Sequence, residues 1–149
     1  MSIIYNPIAL IFISYGIGAL LTGLLNSMGV LQQFSHFNFL NDRWTRKLGV
    51  LSFGWLVKNS FMRFFNQSVY LKNKKDKASL LALVDEMTKA EMGHLIGFVF
   101  LVFVNVYMLI SGVDLIYAAV FALVNIVFNL YLVFIQQYNK RRIRKLLGR

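Results

Sequence analysis

The chain has no cysteine and a single proline, Pro7. Without cysteine there is no disulfide framework, no thiolate nucleophile and no Cys-ligated metal. Acidic residues number six against sixteen Lys and Arg, and the cations are missing from long stretches. Residues 1–41 carry none, and neither do residues 90–139. All sixteen fall within 43–89 and 140–149, on the flanks of apolar runs. A nucleic-acid binder clusters its cations on a face that meets phosphate, so this confinement argues against one. The two histidines are far apart, with no HxxxH or HExxH spacing, and no metal set is expected. There is also no GxSxG elbow and no Gly-rich phosphate loop.

What is present is apolar surface. Hydrophobic residues make up 58% of the 149, against roughly 45–50% in soluble proteins. The length leaves room for one domain, 1–149. The pattern is that of an all-α membrane protein with about three transmembrane helices. Residues 8–31, 93–110 and 115–135 are each apolar and about long enough to cross ~30 Å of hydrocarbon. The first run lacks a basic flank and a small-x-small cleavage site before a soluble domain, so it reads as a retained span. Its glycines, Gly16, Gly18 and Gly23, suit close helix packing. Ser111-Gly112-Val113-Asp114 is a tight connection, which makes the second and third spans antiparallel neighbours.

Residues 32–92 form a cytoplasmic, interfacial region and 136–149 a basic tail. Leu48–Val57 is about ten residues, short of the ~20 a span needs. Trp44, Trp55, Phe61, Phe64 and Phe65 alternate with Arg43, Arg46, Lys47, Lys58 and Arg63. That mixture predicts amphipathic helices, either interfacial or re-entrant over 48–65. Lys72–Lys77 reads as a solvated turn. The positive-inside rule puts the N-terminus and the Ser111–Asp114 loop outside and the tail in the cytoplasm, the expected site being the cell membrane. Membrane lipids with anionic headgroups are the natural partners of the basic flanks, and nucleic acid is not.

The chemistry gathers between Ser79 and Ile110, where a charged amphipathic segment turns into an apolar run. Glu91 and His94, three apart, share a helix face, with Glu86 just before them. Ionisable groups at the edge of a span read as functional by default. The antiparallel third span brings Gln136, Tyr138, Asn139 and Arg142 to the same depth, with Asn129 two turns deeper on the face of Gln136. Structural roles stand beside these. Asn105, Asn125 and Asn129 suit interhelical hydrogen bonds worth about 0.6–2 kcal/mol each. Arg142 suits a topology anchor, Glu91 with His94 a structural ion pair, and His36 an interfacial aromatic.

The pattern Glu86-x3-Ala90-Glu91-x2-His94, followed by Asn129-x6-Gln136-x-Tyr138-Asn139-x2-Arg142, resembles the glycosyl-4,4'-diaponeurosporenoate acyltransferases. Phe37-Asn38-Phe39 ahead of Trp44 is similar to them too. The segment Leu48–Phe65 is more apolar than the family pattern. The resemblance implies transfer of a fatty acyl chain to a hydroxyl of a carotenoid-linked glucose. It implies His94 as general base, with Glu91 or Glu86 orienting the imidazole. Asn139, Gln136 or Tyr138 would face the oxyanion, and Arg142 the phosphates of acyl-CoA or an acyl-carrier protein. No tightly bound cofactor is expected; the acyl thioester is a co-substrate. A reading from another class is a non-catalytic membrane subunit or lipid-binding scaffold, because three spans enclose little. A homodimer would relieve that limit.

Overall fold

The computed structural model describes residues 6–60 and 76–148. Every regular element among them is helical. Helix α1 spans Pro7–Ser27; Asn6 caps it, accepting from the Ile8 and Ala9 amides, and Pro7 fits the first turn. A 3₁₀ turn over Leu31–His36 follows, five residues before the short helix α2, Asp42–Lys47. Asn41 caps α2, and the charges follow the helix dipole, Asp42 in the first turn and Arg46 and Lys47 in the last. Gly49, at φ 66°, makes the left-handed corner that a side chain resists. Helix α3, Val50–Asn59, leaves it.

Helix α4 runs unbroken over Lys77–Ile110, its first turn capped by Asp76 at the Ser79 amide. Its 34 residues make roughly 50 Å of helix at about 1.5 Å per residue. The charged segment and the apolar run of the sequence are thus one rod, and part of it projects beyond any ~30 Å slab. After the turn at Gly112 (φ 79°), Asp114 caps α5, Leu115–Asn125. A π-helical turn, Ile126–Leu130, joins α5 to α6, Tyr131–Leu146. Three of these rods are long and apolar enough to cross a membrane: Pro7–Ser27, Lys77–Ile110 and Leu115–Leu146. The first ends four residues sooner than the apolar run in the sequence, and the last continues well into the basic tail.

Helix α4 is the central rod, packed against α1 on one side and against α5 and α6 on the other. Ser14, Gly18 and Thr22 make a small, buried stripe at four-residue spacing on α1, and Gly93 and Gly97 face it from α4. The backbones nearly touch: a Cβ on Gly18 would lie 2.2 Å from the Gly93 carbonyl oxygen. Only Gly18 of the three α1 glycines serves this approach, since Gly16 and Gly23 face open space. Lateral surfaces are apolar. Phe12, Leu20, Phe103, Ile116 and Leu123 are exposed while Ser14, Asn125 and Asn129 are buried, the inverse of a water-soluble bundle.

At the basic end, Val50 and Val57 of α3 pack on Leu132 and Ile135, and Leu51, Trp55 and Leu56 face outward. So α3 leans on the third long helix at the level of its apolar part. Tyr131 fastens the corner before α3 by donating to the Leu48 carbonyl at 2.9 Å. The expected aromatic and basic positions Phe61, Arg63, Phe64 and Phe65 lie outside the described residues. So does most of the Lys72–Lys77 turn; Lys77 itself opens α4.

Candidate active site

Glu91 and His94 sit on adjacent turns of α4 but serve different neighbours. The Glu91 carboxylate faces α6, where it pairs with Lys140, each only 1% exposed. Gln137 Nε2 donates to Glu91 Oε1 at 2.8 Å. The same two α6 residues hold the 3₁₀ turn and the segment after it: the Phe39 amide donates to Gln137 Oε1 and Lys140 to the Ser35 carbonyl. Arg144 donates to the Ser35 carbonyl as well. Two buried charges are costly unless paired and hydrogen-bonded, and here the ions face each other with Gln137 and the Ser35 carbonyl as further partners.

From the neighbouring positions of the tail, Arg141 donates to Asn38 Oδ1, Asp42 Oδ1 and Thr45 Oγ1, and Lys145 to Asp42 Oδ2. The Lys145 hydrogen bond and charge, with Arg141 adding to them, hold the Asp42 carboxyl below the usual carboxylate range. The basic tail is therefore a clamp that pins residues 35–45 across α4 and α6. Phe37-Asn38-Phe39, Glu91 and the Gln137–Lys145 stretch, far apart in sequence, meet here.

His94 faces the other way. Its ring takes the edge of Tyr15 from α1, centroids 5.2 Å apart at 82°. The Tyr15 hydroxyl donates to the Phe128 carbonyl at 2.9 Å. That carbonyl belongs to the π turn, whose wider ladder leaves backbone groups for side chains to satisfy. The same turn carries Asn129, fully buried, as the polar side-chain neighbour of the imidazole. Asn129 Nδ2 donates to Asn125 Oδ1 at 2.9 Å and reaches Ser14 Oγ at 3.5 Å; Asn125 Nδ2 donates to the Phe98 carbonyl. Gly97 makes room for this ladder, because a Cβ there would stand 3.1 Å from Asn129 Oδ1.

The imidazole lines an open groove of about 450 Å³ between α1 and α4. Tyr15 and His94 form its inner end, Thr22 and Gly93 its middle, and Asn26 and Lys89 its mouth. The volume lies within the ~300–1,000 Å³ usual for small-molecule sites.

The sequence-derived candidates separate accordingly. Asn129 joins His94. Glu91, assigned to orient the imidazole, has its carboxylate on Lys140 and Gln137, and Glu86 is exposed further along α4. Asn129 is the polar side chain beside the imidazole instead. Gln136 is buried; Tyr138 lies under the Arg142 guanidinium at 5.7 Å; Asn139 has a buried, unpartnered Nδ2. His36 is exposed. Sequence reasoning did not single out Tyr15, Gln137 or Lys140. Lys140 was within reach, being the first cation of the tail and set level with the acid that opens the second apolar run.

A family model for glycosyl-4,4'-diaponeurosporenoate acyltransferases matches residues 27–149. The chain belongs to that family. The resemblance read from Glu86–His94 and Asn129–Arg142 is borne out over most of the chain. No curated protein and no solved structure matches it. The part matched to the acyltransferase family holds His94, Asn129, Glu91 and Lys140. Tyr15, Thr22 and the rest of the α1 wall of the groove precede it.

Proposed function

We propose that the protein is a membrane-embedded O-acyltransferase. It moves a fatty acyl chain from a thioester donor to a hydroxyl of a lipid-linked, carotenoid-type glycoside. The observation that carries this reading is the placement of His94. An imidazole with an unpartnered, buried Nδ1 lines a groove that opens between two apolar helices. Family membership supports the acyl-transfer chemistry and the glycoside acceptor. The exposed apolar flanks of all three long helices support membrane embedding. The cations of α2, α3 and the tail support a cytoplasmic tail and an external N-terminus.

In this reading His94 is the general base. Asn129 spends Nδ2 on Asn125 and Ser14, which leaves its unpartnered Oδ1 to accept from one imidazole N–H when substrate is bound. Fixing that tautomer leaves the other ring nitrogen to take the proton of the sugar hydroxyl. The hydroxyl oxygen then attacks the thioester carbonyl, the C–S bond breaks, and the proton passes to the departing thiolate. An acyl-CoA or acyl-carrier-protein donor arrives from the basic face, with Lys89 at the mouth of the groove. Glu91 with Lys140 holds α4 against α6 and thereby sets the position of His94.

Lipid mass spectrometry tests the reading. Cells that supply a carotenoid glycoside and express wild type or His94→Ala would be extracted at matched membrane levels. A glycolipid heavier by one acyl chain in the wild type alone is the expected result. Identical lipid profiles at equal levels would overturn it.

A further inference from the structure

Thr22 is the one buried hydroxyl among the described residues that has no hydrogen-bond partner. Its neighbours in helices do otherwise: Ser14, Ser27, Thr45 and Thr88 each donate to a carbonyl three or four residues back. That local bond is the default for a hydroxyl in an apolar helix. Thr22 is 5% exposed, sits mid-way along the groove that His94 lines, and faces glycine: Gly93 stands where a side chain could have answered it. A buried polar group left unpaired costs free energy, and at a groove wall it marks a place for a ligand atom.

Acyl transfer needs a donor aimed at the oxygen on which negative charge develops. The other donors of this groove are committed or wet. The Tyr15 hydroxyl is spent on Phe128 and Asn129 Nδ2 on Asn125 and Ser14. Asn26 and Lys89 are exposed at the mouth, where water weakens any such bond. The backbone amides of both walls lie inside helices. Thr22 is what remains.

We propose that Thr22 is a catalytic residue, its hydroxyl donating a hydrogen bond to the acyl carbonyl oxygen as the sugar hydroxyl attacks. The assignment rests on the acyltransferase reading above. In the step it serves, the sugar O–H proton goes to His94, the new C–O bond forms, and the carbonyl π pair moves onto oxygen. Thr22 steadies that oxyanion without losing its own proton. The C–S bond then breaks and the thiolate takes the proton from His94. The consequence is that α1 supplies chemistry as well as a wall.

The test uses membranes bearing wild type, Thr22→Val, Thr22→Ser and His94→Ala at matched levels. The substrates are glycosyl-4,4'-diaponeurosporenoate and a saturated long-chain acyl-CoA. Thr22→Val should lose about 10²–10³-fold in kcat, with KM for both substrates little changed, while Thr22→Ser keeps most of the rate. If Thr22→Val does not insert, Thr22→Ala takes its place. A valine variant as fast as wild type overturns the assignment. So does equal impairment of Thr22→Val and Thr22→Ser, which would mean that shape matters and the hydroxyl does not. In either case an active wild type and an inactive His94→Ala leave the acyltransferase reading standing. A well-inserted wild type that acylates nothing overturns both.

Discussion

Glu91 and Lys140 form a buried ion pair between α4 and α6, although each sits on a helix that is otherwise apolar or basic at that level. Removing one partner strands the other charge. Glu91→Gln or Lys140→Met should therefore each cost about 3–5 kcal/mol, read as thermal unfolding in detergent. The double variant Glu91→Leu with Lys140→Met should recover most of that loss. If the single variants melt like wild type, the pair is not what joins the two helices.

His94 and Asn129 should respond differently. His94→Ala should lower kcat by about 10²–10⁴-fold with little change in stability, the ordinary loss of a general base. Asn129→Leu should lower both, because the ladder through Asn125 and Ser14 is worth about 0.6–2 kcal/mol per interhelical bond. Paired rate and melting measurements decide this. A fully active Asn129→Leu would remove Asn129 from the site.

The helix crossing predicts an ordering among glycines. Gly18→Ala drives a Cβ to 2.2 Å from the Gly93 carbonyl oxygen, and both sides of that contact are backbone. The α1–α4 crossing must open, and the melting temperature should fall sharply. Gly16→Ala meets open space and should be neutral or gain up to about 1 kcal/mol from helix propensity. Equal melting of the two variants would contradict the close approach.

The clamp on residues 35–45 carries a pH dependence of definite sign. Lys145 and Arg141 hold the Asp42 carboxyl below its ordinary value. Its contribution is thus present above the unfolded carboxylate range, ~3.9, and is lost as pH falls through the lower folded value. Hydrogen exchange over residues 38–45 should be faster in Asp42→Asn than in wild type at neutral pH. The difference should vanish once wild-type Asp42 is protonated. A difference that survives in strong acid would assign the effect to shape.

Membrane character, three long apolar helices, helix polarity at the caps and the family itself were legible in the sequence. Each is a local or compositional property: an apolar run must be helical where water cannot satisfy the backbone, and Asn41, Asp76 and Asp114 cap whatever helix follows them. The residues of the site were legible as types. Glu91 and His94 stood out because ionisable groups are rare beside apolar runs.

Which way each of them faces was decided only by the tertiary structure. Two residues three apart on a helix differ by about 60° around its axis, and a central helix with neighbours on both sides turns that angle into two separate environments. The Gly18–Gly93 contact sets how close α1 comes, and hence that His94 meets Tyr15 and a groove. The π turn sets Asn129 on the side of the imidazole, a change of helical register that no residue preference announces. The sequence by itself determined which groups are expensive to bury, and packing determined which of them are satisfied by protein and which, His94 Nδ1 and the Thr22 hydroxyl among them, are not.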